Sequence, residues 1–507
     1  MKKIFTNTYT ISILLFVIGI CTRIPFLEHF QSHWDGAEYS MAILHYSLVQ
    51  DTPSPPGYPL YIFLGKIIYQ FVHNPHTALL IVSVLFSGLT AYLFFILGSI
   101  FLNKEIGIIA SLIYLSSPVF YFLGITAHGY GITVAPLLLL IILIVRVIKY
   151  KKSHPILLGI LFSITIGIRP QDSIFTTGLF LYSLFIINKP DKIKAIISFL
   201  LFTTLWFIPI LSLVGGLIPY LQSLKNATTT NAIPLPTFTI IEGNIFQVIR
   251  GIFLTFGIGI IIFISTIKFI HKKNFIKVKK NKYYILFLVW ILPAFLFNII
   301  IRSDQPGHQV SYLAGLIVVF SVLIFESFKG YTKVMYVIVM IICIFNIYNF
   351  FRDRDPDYKL VYTPTSFHYS EIQKNDIQLG SIIPYIVKHF NPNKTIIITS
   401  AQPWRPLTYH LNKFEVIDLE GLYTNDSHYT SVEQIGNYLT MQVQSNKKME
   451  FQIPKKVYSL VFTVASTCSY IHQAHIKLPG NTCLTVLKVK PNQVFSYKIN
   501  RFANISK

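Results

Sequence analysis

Asp35 and Glu38 stand three residues apart in a chain that is poor in acid, with 21 Asp and Glu against 43 Lys and Arg. In a helix that spacing puts both carboxyls on one face. A carboxylate there can take a proton from a substrate hydroxyl or help to hold a metal ion. Acid beside aromatic residues is also ordinary loop chemistry. The second group is Arg169 with Asp172, set inside an otherwise apolar region, where charge is expensive and points to function. Two readings stand for it. The pair can bind each other and simply hold two short helices together. Alternatively, the fork of the Arg169 guanidinium can meet two oxygens of a phosphate at once. Arg302, beside the run Asp304-Gln305-Pro306-Gly307-His308, is a further candidate for phosphate. His128 reads as structural or solvated. The sequence carries no Gly-rich phosphate loop, no Cys-x-x-Cys site and no Gly-x-Ser-x-Gly elbow, which weighs against a nucleotide-driven enzyme.

The elements that must position these residues are membrane spans. The 507 residues are 53% hydrophobic and only 13% charged, and long apolar runs recur. The net charge of +22 reflects topology rather than a nucleic-acid partner. Its Lys-rich runs (Lys149, Lys151, Lys152; Lys189, Lys192, Lys194; Lys272 to Lys282) fall between spans, as cytoplasmic loops do. The chain starts inside with Lys2 and Lys3 ahead of a first span that is retained, not cleaved. Counting from there gives about eleven crossings, the third over 106–122 and the eighth over 244–270. Residues 155–187 read as two short helices broken at Arg169-Pro170-Gln171-Asp172, and the apolar segment 60–72 is too short to cross. Residues 1–351 form the membrane domain. Residues 352–507 turn polar and strand-like, as at Thr395-Ile396-Ile397-Ile398-Thr399, and read as an α/β domain on the non-cytoplasmic side. Cys468 and Cys483 both fall in that domain, where they could pair.

The stretch after the first span is Trp34-Asp35-Gly36-Ala37-Glu38, then Ser54-Pro55-Pro56-Gly57-Tyr58-Pro59-Leu60-Tyr61-Ile62-Phe63-Leu64-Gly65-Lys66. It resembles the first external loop of the polyprenyl-phosphate-sugar-dependent glycosyltransferases of the GT-C fold, the superfamily of the protein O-mannosyltransferases. The branch it is most like reads W-D-S-G-E, then H-P-P-G-Y-P-L-Y; this chain has Ser54 where the branch has His. The resemblance implies a polytopic α-helical GT-C membrane domain with a C-terminal extracytoplasmic α/β domain. It implies transfer of a sugar, of hexosyl or mannosyl type, from a polyprenyl-phosphate donor to a hydroxyl of a protein, lipid or glycan, with inversion. Asp35 matches the superfamily's catalytic aspartate, and Glu38 would orient the acceptor or assist at a metal. Tyr58 and Lys66 in the motif would serve the donor beside Arg169 and Arg302, and Gln305 and His308 resemble a loop of the superfamily near the donor. The partners are then the lipid-linked sugar, the acceptor and membrane lipids, with no nucleic acid. The superfamily does not always need a metal, and a divalent cation (Mg or Mn) is the one candidate cofactor. The contrasting function is a transporter or flippase of a lipid-linked or small solute, which many spans and buried arginines also suit. Such proteins usually show internal repeats, and none is visible here.

Overall fold

The computed structural model describes residues 2–230, 237–272, 281–301, 306–352, 367–399, 401–418, 429–435, 438–444, 448–463, 475–480 and 482–498. They divide into two compact units. One holds Met1–Leu27 and Pro55–Ser370, the other Glu28–Ser54 and Glu371–Lys507. An expected boundary at 351/352 follows polarity along the chain; by packing, the loop bearing Asp35 and Glu38 goes with the C-terminal residues.

Helix α1 (Lys2–Cys21) precedes α2 (Trp34–Leu44), which belongs to the other unit. The first unit continues with α3 (Pro59–Val72), α4 (Pro75–Phe101), α5 (Lys104–Ser116), α6 (Pro118–Ile125), α7 (Val134–Tyr150), α8 (Pro155–Ile168), α9 (Ser173–Ile186) and α10 (Lys189–Val214). It ends with α11 (Leu217–Thr230), α12 (Phe238–Phe256), α13 (Gly259–Lys272), α14 (Asn281–Ile300), α15 (Val310–Ser327) and α16 (Thr332–Phe351). Asparagine caps set three of the starts: Asn74, Asn103 and Asn188 accept from the backbone N–H of Thr77, Ile106 and Asp191. Each satisfies a donor that a helix start leaves open.

Among the described residues eight helices are long and apolar enough to cross a membrane, or nine if one bent pair counts as a span. This is an integral membrane protein. The expected third span is that bent pair: Pro118 has no N–H to continue α5, and α6 leaves at 63°. The expected eighth span is two helices, α12 and α13, divided at Gly257, whose φ is +53°. The helices α8 and α9 have 14 residues each and stand where the sequence reads as two short helices. Their break follows from Pro170, which holds Arg169 extended (φ −143°, ψ 96°). Close packing fixes α8: a Cβ on Gly159 would lie 2.2 Å from the Ala195 carbonyl oxygen of α10, so only glycine permits that approach. Segment 59–72 is a single helix of 14 residues, as its length required.

The second unit contains α2, most of α17 (Tyr369–His389) and α18 (Ala401–His410), with β1 (Thr395–Thr399), β2 (Glu415–Asp418), β3 (Tyr429–Ile435), β4 (Tyr438–Gln444), β5 (Lys448–Gln452), β6 (Ser459–Phe462), β7 (His475–Leu478), β8 (Thr482–Lys488) and β9 (Val494–Lys498). Seven strands form one sheet in the order β3-β4-β2-β1-β6-β8-β7, and β5 pairs with β9. The middle is parallel, with β1 between β2 and β6, and the β6–β8 and β7–β8 pairs are antiparallel. The alternation of β1 explains the two cores. Ile397 packs under Leu379, Ile383 and Ile386 of α17 and Trp404 and Leu407 of α18. Ile396 and Ile398 face Ile417, Val457 and Phe462. Cys483 stands in β8 as a disulfide-bonded cysteine, while Cys468 lies outside the described residues.

Candidate functional site

In the helical unit, the chain between Pro55 and α3 is turned by Gly57 (φ +111°) and Tyr58 (φ +51°). A bulky residue in the left-handed region is strained, and such strain collects at functional sites. The Tyr58 ring is buried and its hydroxyl accepts from Gln171 Nε2 at 3.1 Å. Gln171 lies in the 3₁₀ turn Pro170–Asp172 between α8 and α9. Arg169 and Asp172 flank it, both buried, with Nη1 3.1 Å from Oδ1. That contact agrees with the structural reading of the pair. The guanidinium carbon also sits 4.4 Å from the centroid of the Tyr130 ring, a cation–π contact. His308, in the 3₁₀ turn Pro306–Gln309, closes the group: its Nε2 is 3.3 Å from the Tyr130 hydroxyl and the rings meet edge to face.

Two residues expected to serve a donor, Arg169 and His308, thus meet on opposite parts of one tyrosine that the sequence did not single out. Tyr58 joins them through Gln171. Lys66 is exposed on α3 and is not part of this group. Arg302 and Gln305 lie outside the described residues. His128 is buried beside Tyr130, ring centroids 5.5 Å apart, a packed position rather than a solvated one.

In the second unit, α2 carries the acid pair. His33 caps it, its Nδ1 accepting from the Asp35 N–H at 3.2 Å. Burial lowers the His33 pKa against the pull of Asp35, which keeps Nδ1 free to accept. The Asp35 side chain retains 22% of its exposure. Glu38, one turn on, is 1% exposed and surrounded. Its Oε1 meets the Trp34 indole N–H and lies 3.4 Å from Arg405 Nε; its Oε2 meets the Ser54 hydroxyl and, at 3.3 Å, the Ser54 N–H. Burial, with Asp51 and Asp35 nearby, pushes the Glu38 carboxyl up to about 8 despite Arg405. Asp51 is also raised by burial and also feels Arg405. Two acids therefore share one guanidinium, and a proton retained on Glu38 balances the charge. The partly exposed acid and the buried acid have different environments, so they suit different tasks.

Among the described residues no three His, Cys, Asp or Glu side chains are gathered to hold a metal ion, and the Glu38 oxygens are already engaged. Sequence reasoning missed Arg405, Asp51 and Tyr130, and read Ser54 only as a departure from the motif. The one signal for Arg405 was an arginine between Trp404 and Pro406 in a domain whose other positive charges are mostly lysine.

A family model described as dolichyl-phosphate-mannose-protein mannosyltransferase matches residues 51–214, a region that holds Tyr58, Tyr130, Arg169 and Asp172. No curated protein sequence matches the chain. Among solved structures the chain is similar to ArnT from Cupriavidus metallidurans bound to undecaprenyl phosphate, at 10% identity and a TM-score of 0.54, covering 96% of this chain and 98% of that one. The same protein in its apo state gives the same figures. The apo oligosaccharyltransferase of Archaeoglobus fulgidus gives 10% identity and a TM-score of 0.49, over 80% of this chain and 63% of that one. The likeness along nearly the full length of ArnT shows a GT-C-type fold: a polytopic helical membrane protein with a C-terminal α/β domain.

Proposed function

We propose that the protein is a membrane glycosyltransferase that moves a sugar from a polyprenyl-phosphate donor to an acceptor hydroxyl on the non-cytoplasmic side. The observation that carries this is the cluster of buried Arg169 and Tyr130 with half-buried His308 at the α8–α9 break. A buried guanidinium with planar donors suits a phosphate. The family-model match over a region that includes Tyr130 and Arg169 supports it, as does the undecaprenyl phosphate held by the ArnT structure.

Asp35 takes the proton of the acceptor hydroxyl as that oxygen bonds to the anomeric carbon. The bond from that carbon to the phosphate oxygen breaks, and the configuration inverts. Polyprenyl phosphate leaves with both electrons, its charge met by Arg169 and His308, with Arg302 and Gln305 as further candidates. Phosphate is already a good leaving group, so no separate acid is required. Glu38, buried and bonded on both oxygens, positions rather than reacts. A hexosyl or mannosyl unit is the sugar class this reading favours, and the acceptor is a protein, lipid or glycan.

Purified protein in vesicles with radiolabelled polyprenyl-phosphate sugars and a panel of hydroxyl acceptors tests the proposal. Label appearing on an acceptor supports it. Label crossing the bilayer still on its lipid, with no transfer, replaces it with the carrier reading.

A further inference from the structure

The acid-bearing loop is built into the C-terminal α/β unit, and its attachment is specific. Residues Glu28–Ser54 belong to that unit by packing. Asp376 of α17 accepts from the backbone N–H of His29 and Phe30, and Asn375 donates to the carbonyl of Phe30. From α18, His410 Nε2 lies 2.6 Å from Gln31 Oε1, and burial lowers the His410 pKa to about 4. A neutral imidazole can donate to that amide oxygen. Met41 packs against Tyr409.

At the centre of these contacts is Arg405, 2% exposed. Its guanidinium carbon is 4.3 Å from the Trp404 ring centroid and 5.5 Å from that of Trp34, and the two indoles are 5.1 Å apart. Its Nε faces Glu38. Trp34 precedes Asp35 and Glu38 follows it by one turn, so Arg405 grips α2 on both sides of Asp35.

Building on the proposed function, we infer that Arg405 is a positioning residue for transfer: it sets the rotation and height of α2, and so makes the C-terminal domain a working part of the enzyme. The planar guanidinium matters as much as its charge. It lies over two indole rings and also faces a carboxyl at 3.4 Å, which a lysine cannot do together. A shift of about 1 Å at a reacting group can cost about 100-fold in rate. Arg405 is far along the sequence from Asp35 and touches no reacting atom in this assignment. Its loss should therefore act on turnover and leave donor affinity alone.

The test uses the full chain with Arg405→Met, which keeps length and apolar contact, and Arg405→Lys, which keeps charge. Amide hydrogen exchange of α2 is followed beside that of β1 and α17, and transfer from a labelled polyprenyl-phosphate sugar is measured beside donor binding. The expected result for Arg405→Met is faster exchange in α2 with β1 and α17 unchanged, and turnover down by about 10–100-fold with donor binding within about two-fold. Arg405→Lys should fall between wild type and Met. Unchanged exchange in α2, or uniform loss of protection across all three elements, overturns the inference, the second showing that Arg405 only holds the domain together. If the wild type transfers no sugar, the proposed function falls, and the exchange result still decides whether Arg405 positions α2.

Discussion

Asp35 and Glu38 look alike in sequence and differ in surroundings. Asp35→Asn keeps the shape and the ability to accept a hydrogen bond but cannot take a proton at neutral pH. Transfer should fall by about 10²–10⁴-fold with donor binding retained, since that is the usual contribution of a general base. Glu38→Gln should cost less, because a buried carboxyl held near 8 is already mostly protonated at neutral pH. Turnover of both variants beside donor binding checks the order; near-normal turnover in Asp35→Asn removes the base assignment. Glu38 also carries a stability signature. Its folded pKa of about 8 lies above the ordinary value of 4.5, so the folded state binds the extra proton between those values. Its contribution to stability is full below about 4.5 and is lost as pH rises through about 8. Melting temperature should therefore decline across that window in the wild type and decline less in Glu38→Gln; parallel curves would show that Glu38 does not hold the proton. The acid pair itself was legible in sequence, because spacing and acid scarcity are local facts. Its two environments were not: Arg405 lies hundreds of positions away, and only packing brings it to Glu38.

The helix break at Arg169-Pro170-Gln171-Asp172 was legible because proline and charge interrupt an apolar run. The bend at Pro118 and the division at Gly257 were not marked as breaks, since each sits in a run apolar enough to pass for one span. The break at Arg169 separates two roles for that residue. Arg169→Lys keeps the charge but loses the fork and the flat face on Tyr130. If Arg169 serves the donor, donor binding should weaken by about 1–3 kcal/mol with little change in melting temperature. If it only answers Asp172, melting temperature falls and donor affinity stays near normal. Tyr130 was not singled out because a tyrosine in an outer turn has no local feature to separate it from the other 29. The close approach of α8 and α10 gives a control for the same region. Gly159→Val would drive a side chain into the Ala195 carbonyl and should cost about 1–3 kcal/mol of stability through overpacking. Donor binding that survives this substitution while failing in Arg169→Lys assigns the effect to the guanidinium and not to general loosening of α8.

At the scale of the whole chain, the membrane character was readable from composition, and the proposed side of each segment rests on where its positive charges sit. Lys149, Lys151 and Lys152 lie at and after the end of α7, and Lys189, Lys192 and Lys194 begin α10. Short loops rich in Lys stay cytoplasmic because moving them across the bilayer is unfavourable. The two basic clusters flank α8 and α9, so both ends of that pair belong on one side. The α/β domain has basic residues too, but long folded segments cross largely regardless of charge, so its own charge does not set its side. Two single cysteines in a background freed of reactive thiols make this testable: Lys152→Cys and Lys413→Cys, both positions exposed. An impermeant thiol reagent applied to intact cells should label Lys413→Cys and leave Lys152→Cys unlabelled until the membrane is opened. The reverse pattern inverts the topology and moves Asp35, which belongs to the same compact unit as Lys413, to the cytoplasmic side. Labelling of both positions from one side would mean an even number of crossings between Lys152 and the α/β domain, and the span assignment rather than its orientation would be at fault. On the proposed topology α8 and α9 together return the chain to its starting side, so α10 and the later spans supply the odd crossing.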